Sequence, residues 1–458
     1  MGNAGRRKAN NEDVFENMSP GQAVRTMAVP AVVSQLIILI YNMADTFYLG
    51  QTNNPQMVAG VSLVLPVFNL ALAVGSLFGL GGGAVLPKLL AVDDREEAAR
   101  VAAYCIRMTL YTGLFFSAVM LVFMRPILTL LGAGDTTLGY ARVYVMTVLV
   151  LGGVPTILSN GLSNLIRSLG MSREAGIGVA LGGVLNLFLD PLFMFVLLPR
   201  GQEVLGVGIA TFISNDISCL WCLVIFFRRQ KTIHVRLTAD KPKKENCRAV
   251  LKIGIPGTTG ALLFDVDYMV LDRLTAGYGE AALAAIGIVL KVERLPQQTG
   301  IGLCQAMVPL IAYSHARRDY VRTRKIMACI LKTGLAVTLI SIAVYELFPA
   351  QIVELFMKEP VTLGFGTGFL RIRAIAAAIM FFCFFAVFFF QAVGDGVMAM
   401  RLTLLRWVCL NIPMLFIMNR FLGMYGLGWA QVTSDVITML VSFAVLNRYM
   451  KKWENPSL

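Results

Sequence analysis

The sequence predicts an all-α integral membrane protein of twelve transmembrane helices in two pseudo-symmetric six-helix bundles. Three observations carry this: apolar runs of helix length recur, positive charge gathers on one side of them, and the second half repeats landmarks of the first. Hydrophobic residues make up 57% of the 458 and charged residues 15%, too little charge for the surface of a soluble protein. Each run is long enough to cross roughly 30 Å of hydrocarbon. The runs are continuously apolar rather than alternating, which argues against an outer-membrane barrel.

The chain opens on a polar stretch, Met1 to Met18, without the apolar core and small-residue cleavage site of a removable signal peptide. Ser19-Pro20 reads as a helix cap with proline in the first turn. The expected spans are 24–49, 55–80, 100–123, 138–163, 173–198, 204–228, 249–275, 281–312, 325–348, 366–391, 399–420 and 426–447. On these, most of the 40 Lys and Arg lie at the side carrying both termini, notably Arg228 to Lys252 and Arg317 to Lys325. The opposite loops, such as Gly50 to Gln56, are nearly free of positive charge. The positive-inside rule then puts both termini in the cytoplasm of a multi-pass protein of the bacterial plasma (inner) membrane. The net charge of +13 is a topology signal, and a nucleic-acid partner is not expected. Eight scattered cysteines do not form a disulfide pattern, and the two histidines, His234 and His315, fall in expected loops, so no structural zinc site is expected.

The repeat is clearest in the last helix of each half. Gly206, Gly208, Ala210 and Ser214 align with Gly426, Gly428, Ala430 and Ser434. Ala84 and Pro87 pair with Ala306 and Pro309, and Pro30 with Pro256. An even number of helices per half makes the copies parallel, related by an axis along the membrane normal. The expected division is residues 1–228, a basic cytoplasmic linker 229–247, and residues 248–458. Such duplication is typical of transporters with the substrate between the halves.

Ionisable groups in hydrocarbon are costly unless paired or hydrated, so each is a functional candidate. Asp45 follows Asn42 near the outer end of the first span; Asn186 and Asp190, four residues apart, share one face of the fifth. Thr211, Ser214, Asn215 and Asp216 lie on the sixth span, and Asn160 and Asn164 late on the fourth. Carboxylates, amides and hydroxyls together suit a proton or a dehydrated Na⁺. The second half carries Asp265, Asp267 and Asp272 on the seventh span and Lys291, Glu293 and Arg294 on the eighth. Similar depth on antiparallel neighbours predicts ion pairs such as Asp265 or Asp267 with Lys291 or Arg294. The run Gly79, Gly81, Gly82, Gly83 lacks the Lys-Ser/Thr of a phosphate loop and is expected to permit close helix packing. No ATPase domain is present, so uphill transport must draw on an ion gradient or a partner protein. The Phe381 to Phe390 stretch and the many methionines offer adaptable apolar surface for promiscuous recognition, and most of those phenylalanines could equally face lipid.

Several stretches resemble the multidrug and toxic compound extrusion (MATE) family of antiporters, bacterial branch, over essentially the whole chain. They are Asn42-Met-Ala-Asp45-Thr-Phe-Tyr-Leu-Gly50, Gly79-Leu-Gly-Gly-Gly-Ala84 with Asp93-Asp94-Arg95-Glu96-Glu97-Ala98, Asn186 to Asp190-Pro191, Gly206 to Ala210, and Pro309-Leu-Ile-Ala-Tyr313. The resemblance implies two lobes forming a V-shaped cleft and export driven by inward flow of H⁺ or Na⁺, with no enzymatic activity. It carries a cation-binding role onto Asp45, Asn186 and Asp190, which would hold Na⁺ if that is the ion, and more weakly onto Asn160 and Thr211. Members with a second-lobe site use acids on the seventh and tenth helices; here the tenth has none before Asp395. The expected cargo is amphipathic, often cationic organic compounds, handled by a monomer in the bilayer without a cofactor beyond the coupling ion. The alternative is a lipid-linked saccharide flippase, favoured if Lys291, Arg294 and Lys332 line the cleft unpaired.

Overall fold

The computed structural model describes residues 13–52, 54–229, 233, 235 and 240–454. The sequence readings for residues 1–12, for much of the linker and for His234 lie outside these. Among the described residues, twelve long helical segments follow one another. They are α1 (Pro20–Gly50), α2 (Pro55–Ala91), α3 (Arg95–Leu130), α4 (Thr136–Leu151 and Gly153–Ser168), α5 (Ser172–Leu197) and α6 (Glu203–Arg228). After the linker come α7 (Lys244–Ala276), α8 (Glu280–Ala316), α9 (Tyr320–Leu347), α10 (Pro360–Val393), α11 (Gly396–Leu422) and α12 (Met424–Trp453). Ten are long and apolar enough to cross a membrane, and α4, bent by 51° at Gly152, makes an eleventh. The twelfth, α8, has 37 residues, but Lys291, Glu293, Arg294 and three glutamines interrupt its apolar run. Large apolar side chains such as Phe115, Val122, Phe188 and Phe421 stand exposed, the mark of a surface solvated by lipid.

Local chemistry sets the helix ends. Ser19 caps α1 by accepting from the Gln22 amide at 3.4 Å, with Pro20 in the first turn. Asp94, Asp319 and Asp395 cap α3, α9 and α11 in the same way. Asp93 and Arg318 precede two of these caps with φ of 57° and 58°, the same tight reversal at corresponding places in the two halves. The repeat also recurs in packing. Gly206 and Gly426 each let the start of the last helix lie directly on the backbone of the preceding one. A wide π-type turn closes α5 at Leu192–Leu197, and another interrupts α11 at Leu405–Asn411.

Buried apolar residues form three clusters. One is shared by both halves at the end bearing the termini, with Phe78, Leu165, Val250 and Leu310 among its members. Two others sit at the opposite end, one within the first half around Phe68 and Val148, the other within the second around Val289 and Phe369. The halves thus share a core at one end and keep separate cores at the other, which is the V shape. Phe381, Phe385, Phe389 and Phe390 belong to the shared core. That corrects their expected place on a recognition surface: aromatic faces in a close-packed interior are not free to meet a substrate. His315, expected in a loop, instead occupies the last turn of α8 among Tyr320, Tyr449 and Trp453.

Glycines bring the halves together. A Cβ at Gly81 would strike the Val250 carbonyl, and one at Gly254 the Leu77 carbonyl, so α2 and α7 touch backbone to backbone. Gly302 of α8 meets Val32 of α1 in the same manner. The glycine run therefore serves close packing.

Candidate functional site

In the first half, Gly183 admits Ile37 and Tyr41 of α1 against the α5 backbone. Two turns further along each helix this approach brings the carboxyls of Asp45 and Asp190 within hydrogen-bonding reach of one another. Asn186 donates to Asp190 Oδ1 at 3.1 Å and to Thr211 Oγ1 at 3.4 Å, as their spacing on one helix face requires. Asn186, Asp190, Thr211 and Ser214 are buried. Among the described residues, four enclosed oxygens of this cluster have no donor: Asp45 Oδ1, Asn186 Oδ1, Asp190 Oδ2 and Ser214 Oγ. Tyr144, buried on α4, closes the cluster beside Thr211. A cavity of about 80 Å³ between α1, α2, α4, α5 and α6 reaches it, lined by Tyr41, Asn160, Asn186, Thr211 and Ser214 among others.

The weaker candidates separate. Asn160 lines the cavity but spends both amide hydrogens on α2, at Leu72 O (2.7 Å) and Ser76 Oγ (2.9 Å), so it fastens two helices. Asn164 donates to Asn160 O, and Asn215 donates to Thr156 Oγ1 at 2.9 Å. Asp216 lies beside Cys219.

The second half is built differently from the sequence expectation. Glu293 pairs with Arg373 of α10, Nε to Oε2 at 2.7 Å, both side chains buried. Asp267 accepts from Asn411 Nδ2 at 2.7 Å rather than from Lys291 or Arg294. Lys291 is exposed. Arg294 lies over the Tyr268 ring at 6.0 Å and acts on Asp265 and Asp272 only at longer range. Asp265 accepts from Asn69 of α2 at 3.3 Å, across the two halves. Among the described residues, the hydrogen bonds joining the halves run from this pair toward the termini, through Thr258 to Ala73 O and Gln35 to Gln305. Asn69 and Asp265 therefore mark the floor of the cleft. The expected pairing fails on rotation, not depth. Lys291 turns to the exposed surface, and Asp267 turns to Asn411 of α11 and away from α8.

The strongest polar network in this half was not anticipated from the sequence. Arg406 holds Asp435 through Nε to Oδ1 at 2.7 Å and Nη2 to Oδ2 at 3.2 Å. Gln431 donates to Asp435 Oδ2 at 2.8 Å, and Asn411 bridges Gln431 and Asp267. The π-type turn at Leu405–Asn411 presents both Arg406 and Asn411 to this cluster. The Arg406 guanidinium also lies over Trp407 (4.2 Å) and Phe384 (4.7 Å). Two signals were available. Arg373, Arg406 and Asp435 are charges inside apolar runs, and the repeat that aligns Ser214 with Ser434 sets Gln431 opposite Thr211 and Asp435 opposite Asn215.

Comparison with known proteins agrees with this architecture. The MatE family model matches residues 30–192 and 256–417, one copy in each half. The multidrug export protein MepA of Staphylococcus saprophyticus is 28% identical over 432 residues, covering 94% of each chain. MepA of Staphylococcus aureus matches to the same extent. An outward-facing structure of a multidrug resistance MATE family transporter of the MOP superfamily superposes with a TM-score of 0.91 at 21% identity, covering 97% of this chain and 99% of that one. A MOP superfamily transporter from Pyrococcus furiosus, described as having a binding pocket of reversed polarity, gives a TM-score of 0.91 at 20% identity over 98% and 99%. Matched in both halves by the family model, the chain belongs to the MatE family of multi-pass membrane transporters.

Proposed function

We propose that the protein is a cation-coupled exporter of amphipathic, often cationic organic compounds, with Asp45, Asn186 and Asp190 as the coupling-ion site. The observation that carries this is the set of four enclosed oxygens without donors around two adjoining carboxyls. Two carboxylates side by side in a dry interior repel, and a proton or a hard cation between them removes the repulsion. All the ligating atoms on offer are oxygens, which suits H⁺ or Na⁺ and not a soft metal. The export activity in the names of the Staphylococcus relatives supports the same reading. In this reading residues 1–228 and 248–458 act as two lobes of a monomer in the bacterial plasma membrane, with both termini cytoplasmic. Cargo enters the cleft above Asn69 and Asp265, where the Asp265 carboxylate suits a cation. A carboxylate at the cleft floor disfavours the pyrophosphate of a lipid-linked saccharide.

The test is transport by purified protein in liposomes with proton and sodium gradients imposed separately. Asp190→Asn is expected to flatten the pH dependence of transport if H⁺ is used, or to abolish Na⁺ binding by calorimetry if Na⁺ is used. Profiles identical to wild type in both assays would reassign Asp190 to helix packing.

A further inference from the structure

At the end of the molecule bearing the termini, away from both polar clusters, a cavity with about 810 Å³ of open space lies between the two halves. Its walls are the last turns of α2, the first turns of α7 and the end of α10. Three cations line it: Lys88 from α2, and Arg248 and Lys252 from α7. Lys88 is drawn inward, its ammonium against Gly394, where α10 ends with φ +91°. Lys252 acts on Lys88 across the seam as a like charge. Among the described residues none of the three makes an ion pair, and Glu245 is the one acidic residue lining the cavity. The C-terminal carbonyls of α10 offset part of the Lys88 charge, leaving an excess of positive charge. The neighbouring acid Glu97 is already committed, accepting from the Lys243 amide at 2.7 Å and from Asn246 at 2.8 Å. Lys243 also gives α7 no side-chain cap, so the free N–H groups of its first turn border the same space.

We propose that this cavity binds a phosphate group, carried by the headgroup of an anionic phospholipid in the adjoining leaflet. Three cations around one cavity, against the single carboxylate of Glu245, call for an anion. Lysine is suited to phosphate as a mobile point charge, and a basic recess between helices at the membrane face is where an acidic headgroup can reach it. The walls come from both halves, so an occupied cavity ties α2 to α7 and stabilises the molecule.

The experiment measures melting temperature of the full chain in non-ionic detergent with added phosphatidylglycerol, phosphatidylcholine or inorganic phosphate. Phosphatidylglycerol is expected to raise it by roughly 2–4 °C at saturation, and phosphatidylcholine to leave it unchanged. The gain is expected to vanish in Lys88→Gln/Lys252→Gln and to shrink in Lys252→Gln, an exposed change that spares folding. It is expected to persist in Lys358→Gln, a cation in the loop at the opposite end. A rise with inorganic phosphate but none with phosphatidylglycerol would overturn the lipid as the source. No rise with either, or an undiminished rise in both lysine variants, would overturn the site.

Discussion

Replacing Asp45 by Asn is expected to reduce ion-driven efflux from proteoliposomes to the level of protein-free vesicles. Asparagine keeps the size of the side chain and its place on α1 but cannot carry the charge that a coupling proton or cation neutralises. The side chain is only half-buried and Oδ1 has no protein donor to lose, so folding should survive, with a melting temperature within roughly 2–4 °C of wild type. Asp45 is also the acid on which Asp190 acts, so its loss leaves Asp190 without a repelling partner. A variant exporting at the wild-type rate under an imposed gradient would remove Asp45 from the coupling site.

Asp435→Ala is expected to produce the largest loss of stability in the second half, roughly 3–5 kcal/mol, because it leaves Arg406 buried without a carboxylate. The ring faces of Trp407 and Phe384 soften this without replacing two charge-assisted hydrogen bonds. Arg406→Met in the same chain should recover much of the loss by removing the stranded charge. Thermal unfolding of the single and double variants in one detergent checks this, and strictly additive losses would show the pair to be uncoupled. A companion cycle should find coupling between Glu293 and Arg373 at 2.7 Å and none between Asp267 and Lys291.

How far the site was legible depends on which geometric fact each residue required. Asn186 and Asp190 needed only helical periodicity, and Asp45 stood out as a lone acid in an apolar span, so that cluster could be read directly. Asp267 and Glu293 were rightly singled out as costly, but their partners depend on the rotation of α7, α8, α10 and α11 about their axes. Depth alone cannot supply that rotation. Arg406 and Asn411 depend further on a π-type turn, which shifts the facing of everything beyond it by a fraction of a turn and leaves no mark in periodicity. The bend of α4 at Gly152 is of the same kind, since tandem glycines permit a break without requiring one. The twelve spans and their repeat were legible because membrane thickness constrains length more tightly than any propensity.

The contact between α2 and α7 at Gly81 and Gly254 bears on the work of opening this end. At these two glycines backbone meets backbone with no side chain interposed, while the apolar core shared by the halves packs around the contact. The hydrogen bonds that cross with them, Gln35 to Gln305 and Asn69 to Asp265, are of a kind that water can replace when the surfaces separate.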